Sequence, residues 1–322
     1  TRRTCAHLLL AALLLVALFP VLVFAGPPAR LATVDPQVWE SVRGGADAEV
    51  LVVLRAQADL SGADSLTTKE AEGRYVYEAL RSVAEASQRH LRAALDAKRV
   101  EYQSFYIVNA LKVRAGSALV QSLAARQDVA RIVPNPRVKG IPDETLVPLA
   151  ADARLLGIEE NILRVHADDV WALGHTGQGV VVAGQDTGYA WEHPALKTQY
   201  RGWDGATADH DYNWHDAIHS GGGVCGPDSP EPCDDGSHGT HTMGTIVGDD
   251  GAGHQVGVAP GAEWIGCRNM NLGYGTPATY MECFEFFLAP YPVGGMPNDG
   301  DPNLAPHVVN NSWSCPPFEG CD

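Results

Sequence analysis

The alternation of apolar and polar positions divides the chain into stretches of different character. Residues 8–24 form an almost unbroken apolar run behind Arg2 and Arg3, and Val23-Phe24-Ala25 closes it. A positive start, an apolar middle and a small-residue exit predict an export signal over residues 1–25. The run is also long enough for an uncleaved membrane anchor, but Pro20 and the small exit favour cleavage. Beyond it, Glu49–Arg55 is a Val/Leu-rich strand. Lys69–Arg99 carries Val76, Leu80, Val83, Leu91 and Leu95 at helical spacing. Tyr102–Val113 reads as one strand, Ser117–Ala125 as a short helix and Val129–Val133 as a further strand. The order strand, helix, strand, helix, strand predicts a small α+β unit within residues 26–146.

In residues 147–322 the pattern changes. Val180–Gln185 is a short apolar run bounded by Gly177-Gln178-Gly179 and Asp186-Thr187-Gly188, as expected for a parallel strand covered on both faces. A helix is predicted to begin near His238. Trp264–Arg268 reads as a strand and Pro277–Leu288 as a helix. His307–Asn311 reads as a strand leading into Ser312-Trp313-Ser314. This alternation predicts an α/β domain with a doubly wound parallel sheet. Asp186 falls at a strand's C-terminal end, where open α/β sheets place their active groups. His238 falls at a helix N-terminus, whose positive end favours the neutral imidazole of a general base.

Charge reinforces the division. The formal net charge is −16, yet residues 26–146 carry a net +1 and residues 147–322 a net −19. An acidic domain of this kind would repel phosphate, which argues against nucleic acid as a partner. Six of the seven cysteines, Cys225, Cys233, Cys267, Cys283, Cys315 and Cys321, lie in the last third. An even number in an exported region suggests disulfides, with Cys225–Cys233 and Cys315–Cys321 close enough in sequence to staple single loops. Thr1 in place of an initiating Met, and an end at Asp322 with no closing element, lead us to expect a piece of a longer chain.

The segments GQGVVVAGQDTGYAWEHPAL, DDGSHGTHTMGTIVG, GVAPGAEW and VVNNSWS occur in the order in which subtilases carry them. Over residues 170–322 the chain resembles that family, and its bacillopeptidase F-like branch in particular. The stretches SFYIVNALKVRAG and ALVQSLAARQDVARIVPNPRV resemble the ferredoxin-like, inhibitor-type propeptide that precedes the catalytic domain. The resemblance implies an incomplete subtilisin-like sheet in 147–322 and a secreted serine endopeptidase made as a zymogen. Its own propeptide would be its intramolecular inhibitor, and cleavage would fall within 139–152. Asp186 resembles the acid of the Asp-His-Ser triad and His238 its base; His241 resembles a structural helix residue. Ser312, Trp313 and Ser314 resemble the strand that binds extended protein or peptide substrates and walls the pocket for the residue before the scissile bond. Gly273 and Gly275, within Leu272–Gly275, resemble the opposing edge.

Two departures qualify that picture. The chain contains no Gly-Thr-Ser-Met-Ala-type nucleophile motif and no Ala-Gly-Asn stretch for the oxyanion hole, so the fragment is expected to be inactive alone. Ala195 stands where several subtilases carry a calcium-binding Asp. Catalysis requires no cofactor, and calcium would need other carboxylates, those within Asp204–Asp216 or Asp249 and Asp250. Rival readings are weaker. One Asp-Thr-Gly loop cannot make a two-carboxylate aspartic protease. The cluster of His210, His215 and His219 lacks the ordered further ligands of a metal enzyme and reads as a surface loop. A non-catalytic, protease-binding protein is the alternative from another class.

Overall fold

The computed structural model describes residues 31–141 and 157–314; the export-signal stretch, most of the 139–152 junction, Cys315 and Cys321 lie outside them. Two sheets organise the described residues. The first contains β1 (Ala48–Leu54), β2 (Tyr102–Phe105), β3 (Ala110–Ala115) and β4 (Val129–Pro134), with α1 (Lys69–Ala97) and α2 (Ser117–Ala124) in the crossovers. Its order is β4-β1-β3-β2, all antiparallel, with Thr33–Val34 added in parallel outside β4.

Where one strand over 102–113 is expected, the chain turns back on itself between Phe105 and Ala110. Buried polar groups fix that turn. Asn109 donates to Ala56 O at 2.6 Å and Ser87 Oγ at 2.7 Å, and Gln88 donates to Asn109 Oδ1 at 2.9 Å and Phe105 O at 2.8 Å. An amide with this many partners holds a turn where a continuing strand would leave it unsatisfied.

Helix α1 starts at Thr68, whose hydroxyl accepts from Ala71 N, a normal N-cap. Its buried stripe is Tyr77, Leu80, Ala84, Gln88, Leu91 and Leu95, one position away from the expected Val76 and Val83. Leu91 and Leu95 fill the core under the first sheet, with Val50, Val52, Leu111 and Ile132. Tyr77, Leu80 and Ala84 instead pack with Tyr106 and Ala289. The same helix therefore serves two cores, and its polar edge reaches residues 297–305: Tyr77 Oη donates to Pro297 O at 3.0 Å and Lys69 Nζ to Ala305 O at 2.6 Å.

The second sheet follows the short strand β5 (Val138–Lys139). It contains β6 (Val181–Asp186), β7 (Trp214–Asp216), β8 (Glu263–Arg268) and β11 (Val308–Asn310), in the order β11-β6-β8-β7 and all parallel. Parallel strands need cover on both faces. Helix α3 (His238–Val247) lies on one, where Val182 and Trp264 meet Tyr189, Tyr200, Trp214 and Met243. Helix α4 (Pro277–Leu288) lies on the other, with Phe286 and Phe287 against Ala183 and Ile265. Between β8 and α4, the pairs β9 (Met270–Asn271) and β10 (Tyr274–Gly275) form a small antiparallel sheet with β5. Helix α4 begins with Pro277 behind Thr276, whose side chain exchanges hydrogen bonds with Thr279 in a capping box.

Strand β7 corrects the expectation of a surface loop around the histidines. His215 sits on it, half-buried, and pairs with Cys267 of β8. His215 Nε2 and His219 Nε2 both contact Glu282 Oε1, at 2.8 and 2.9 Å, and His219 Nδ1 contacts Asp228 Oδ1 at 2.6 Å. His210 stands apart, against Trp191 and Tyr200. Gln103 of β2 donates to Glu282 Oε2 at 2.5 Å. One turn along α4, Glu285 accepts from the backbone N–H of Tyr106 and, at 3.0 Å, of Ile107. Of the two buried glutamates of α4, Glu282 thus binds strand β2 and Glu285 the turn that Asn109 holds.

Two disulfides are present among the described residues. Cys225–Cys233 staples one loop, as its spacing suggests; Cys267–Cys283 ties β8 to α4. The second pair is fully buried and closes a loop of 16 residues. Replacing both of its cysteines by Ala should lower unfolding free energy by about 3 kcal/mol, measured by denaturant titration.

The histidine cluster makes stability depend on pH. Hydrogen bonding to Glu282, against the cost of burial, raises His219 to about 9. Burial works against the charge of Glu282, but hydrogen bonds from His215 and His219 outweigh it and hold its carboxyl well below the usual range. A raised histidine contributes stability that is complete below about 6.5 and lost as pH rises through about 9. Burial pushes Glu285 up to about 8, which adds a loss of the same sign between its ordinary value and 8. The melting temperature should therefore fall from pH 6.5 to 9.5, and less steeply in His219→Gln, compared at each pH.

Candidate active site

Strand β6 ends on Asp186, at the C-terminal edge of the parallel sheet, where Arg268 of β8 pairs beside it. Asp186 is 1% exposed. Its Oδ1 accepts from Thr187 N at 2.7 Å, and Thr242 Oγ1 lies 3.4 Å from Oδ2. Both carboxylate oxygens face His238 Nδ1, at 2.8 and 3.0 Å. A carboxylate only accepts, so Nδ1 carries the proton. In the neutral ring Nε2 is then the basic nitrogen. The two residues predicted as acid and base are thus brought into direct contact from 52 positions apart.

Glycine permits the approach. A Cβ on Gly239 would lie 2.1 Å from Gly188 O and 3.1 Å from Asp186 Cβ. Only a residue without a side chain lets α3 start this close to the end of β6.

The sequence does not reveal what holds the helix start. Ser237 occupies the N-cap position but is left-handed, with φ 61°, and makes no side-chain cap. Asp234 replaces it. Its Oδ1 accepts from Gly236 N at 2.9 Å, Ser237 N at 2.8 Å and Thr187 Oγ1 at 2.7 Å. Its Oδ2 accepts from Thr240 N at 2.9 Å and from Thr240 Oγ1. Thr187 Oγ1 in turn accepts from Gly239 N at 3.0 Å. The positive end of α3 is therefore met by a carboxylate, and Thr187 links the acid's strand to the base's helix. Asp235 faces the other way: its Oδ1 accepts from Leu272 N at 2.9 Å and its Oδ2 lies 3.4 Å from Arg268 Nη1. Arg268, fully buried, also makes a two-pronged pair with Asp216. The only sequence signal for these roles is the Asp234-Asp235 doublet ahead of the helix. His241 is exposed on α3.

The residues predicted to bind substrate flank one extended segment, residues 138–141. Gly275 and Tyr274 of β10 pair antiparallel with Val138 and Lys139. Gly273 O accepts from Gly140 N at 3.0 Å, and Ser314 N donates to Gly140 O at 3.1 Å. Trp313 stacks on Tyr280 with ring centres 4.1 Å apart, and its Nε1 donates to Gln185 O at 2.9 Å. Ser312 does not join them: its hydroxyl accepts from Asn310 Nδ2 at 2.9 Å.

Of the carboxylates expected as alternative calcium ligands, Asp204, Asp249 and Asp250 accept from backbone N–H groups of their own loops, whereas Asp211 accepts from Val293 N and Asp216 pairs with Arg268. Asp204 Oδ1 accepts from Ala206 N and Thr207 N, Asp249 Oδ1 from Gly251 N, and Asp250 Oδ1 from Ala252 N and His254 N. Among the described residues no group of three His, Cys, Asp or Glu is arranged to hold a metal ion.

The Asp186–His238 contact should give a downfield Nδ1–H proton resonance by NMR. Asp186→Ala should abolish it while leaving the far-ultraviolet circular dichroism unchanged.

The profile of the subtilase family matches residues 177–318. Over 221 residues, 66% of the chain, the sequence is 35% identical to Bacillopeptidase F of Bacillus subtilis (strain 168). Over 178 residues, 54% of the chain, it is 32% identical to the Minor extracellular protease Vpr of the same organism. The chain spans 15% and 20% of the lengths of these relatives. Its fold is similar to the epidermin leader peptide processing serine protease (EpiP) S393A mutant of Staphylococcus aureus. The TM-score there is 0.51 at 11% identity, covering 83% of this chain and 50% of that one. The subtilase match falls on residues 177–318, the stretch that holds the paired Asp186 and His238.

Proposed function

We propose that this chain contributes the acid and the base of an exported serine endopeptidase that is made as a zymogen. The contact of Asp186 with His238 at the C-terminal edge of the sheet carries the reading. A nucleophilic serine from sequence outside these 322 residues completes the set. Its Oγ attacks the peptide carbonyl carbon as its proton passes to His238 Nε2. Asp186 keeps the imidazole in the required tautomer and stabilises its charged form. The imidazolium then protonates the leaving amine, and water, deprotonated by the same base, hydrolyses the acyl-enzyme.

Residues 26–146 are the inhibitor-type propeptide in this reading. The order β4-β1-β3-β2 with two crossover helices supports a ferredoxin-like unit. The lie of residues 138–141 supports inhibition from within the same chain. That segment runs as a strand between Gly273–Gly275 and Ser314, the edges expected to bind an extended peptide by strand addition. The positive, apolar stretch of residues 1–25 and the extracellular relative Vpr support export. No described helix is long and apolar enough to cross a membrane.

Two measurements on the protein expressed from the full-length gene test the proposal. Amino-terminal sequencing should find the mature protein starting within 140–153. His238→Ala should leave the precursor uncleaved and lower kcat by about 10⁶-fold, and Asp186→Asn by about 10⁴-fold. Normal turnover in His238→Ala would overturn the assignment.

A further inference from the structure

Residues 138–141 also record what the cleft tolerates. In an extended segment, alternate side chains share a face, so Val138 and Gly140 point the same way. Val138 is 1% exposed. Gly140 has no positive φ, so its backbone does not require glycine; the reason for glycine is space. A Cβ there would stand 2.8 Å from Met270 Sδ, 3.4 Å from Trp313 Cβ and 3.4 Å from Tyr280 Oη.

These neighbours are not free to retreat. Met270 is fully buried and Tyr280 is 6% exposed. The Trp313 indole is stacked on Tyr280 and fixed by its bond to Gln185 O. Tyr280 is backed by Gly275, where even a methyl group would lie 2.4 Å from its ring. Met270 Sδ, with Trp313 Cβ and Tyr280 Oη behind it, therefore closes the place where a side chain at position 140 would go.

We infer that the cleft position held by Gly140 is a glycine-selective subsite, closed by Met270 with Tyr280 and Trp313 behind it. It selects extended peptides with glycine at that position. The inference rests on the reading of 138–141 as lying where substrate lies. Tyr280 and Trp313 are specificity-determining residues in it.

Two experiments test it independently of each other. With the full-length enzyme, peptides containing Val-Lys-Xaa-Ile ahead of the cleaved bond are compared for Xaa as Gly, Ala and Leu. kcat/KM should fall roughly tenfold from Gly to Ala and roughly a hundredfold to Leu. Tyr280→Ala should cut the Gly-over-Leu ratio at least tenfold. Equal cleavage of the Gly and Leu peptides, or a ratio unmoved by Tyr280→Ala, overturns the inference while leaving the peptidase assignment intact.

The 322-residue chain needs no activity for the second test. Gly140→Ala and Gly140→Leu should lower its melting temperature in that order. Adding Tyr280→Ala should recover stability relative to the sum of the single changes. Additive losses, or no loss in Gly140→Ala, would overturn the subsite even if no peptide were ever cleaved; absence of all cleavage alongside a non-additive cycle would instead count against the peptidase assignment alone.

Discussion

A parallel sheet cannot leave a face in water. The pairing of β6 with β8 and β11 forces cover on both sides, and α3 and α4 supply it from opposite faces. Because all four strands run the same way, their C-terminal ends gather at one edge. Asp186 ends its strand there, and the loop before α3 enters at the same edge. The contact between acid and base follows from this layering together with Gly239 and Gly188, which let the helix start against the strand end.

The strands and helices that cover each other were largely legible. Val180–Gln185 and Trp264–Arg268 carry their own apolar runs, and Pro277–Leu288 carries a start signal and an apolar face. Strand β7 was not legible, because Trp214-His215-Asp216 sits in an acidic, glycine-rich stretch and becomes a strand only by pairing with β8. The turn at 106–109 was hidden because its cause, the amide pair Gln88 and Asn109, depends on residues distant in sequence. Val76 and Val83 fit a helical period as well as Tyr77 and Ala84 do. Only the presence of a second core beside α1 decides between them.

The site was legible in a different way. Asp186 and His238 were marked by their places at a strand's C-terminal end and a helix N-terminus, and resemblance between motifs joined them, since spacing alone cannot bring together residues so far apart in sequence. Asp234 was missed because capping rules point to Ser237, and no local rule predicts that this serine is left-handed. Of the residues assigned to substrate edges, Gly273, Gly275 and Ser314 meet around 138–141. Ser312 bonds within its own strand end, a choice made by Asn310, two residues away.

The aromatic packing on the α3 face has a spectroscopic consequence. Six of the seven tryptophans fall in residues 157–314, and Trp214 and Trp264 are almost wholly shielded beside Tyr189 and Tyr200. Residues 31–141 hold only Trp39, which is 37% exposed. Indole emission from this chain is therefore dominated by the parallel-sheet half, whereas far-ultraviolet circular dichroism draws heavily on the 29-residue helix α1 of the other half. The two signals give each half its own optical signature, and a disagreement between their transitions would reveal one half coming apart before the other.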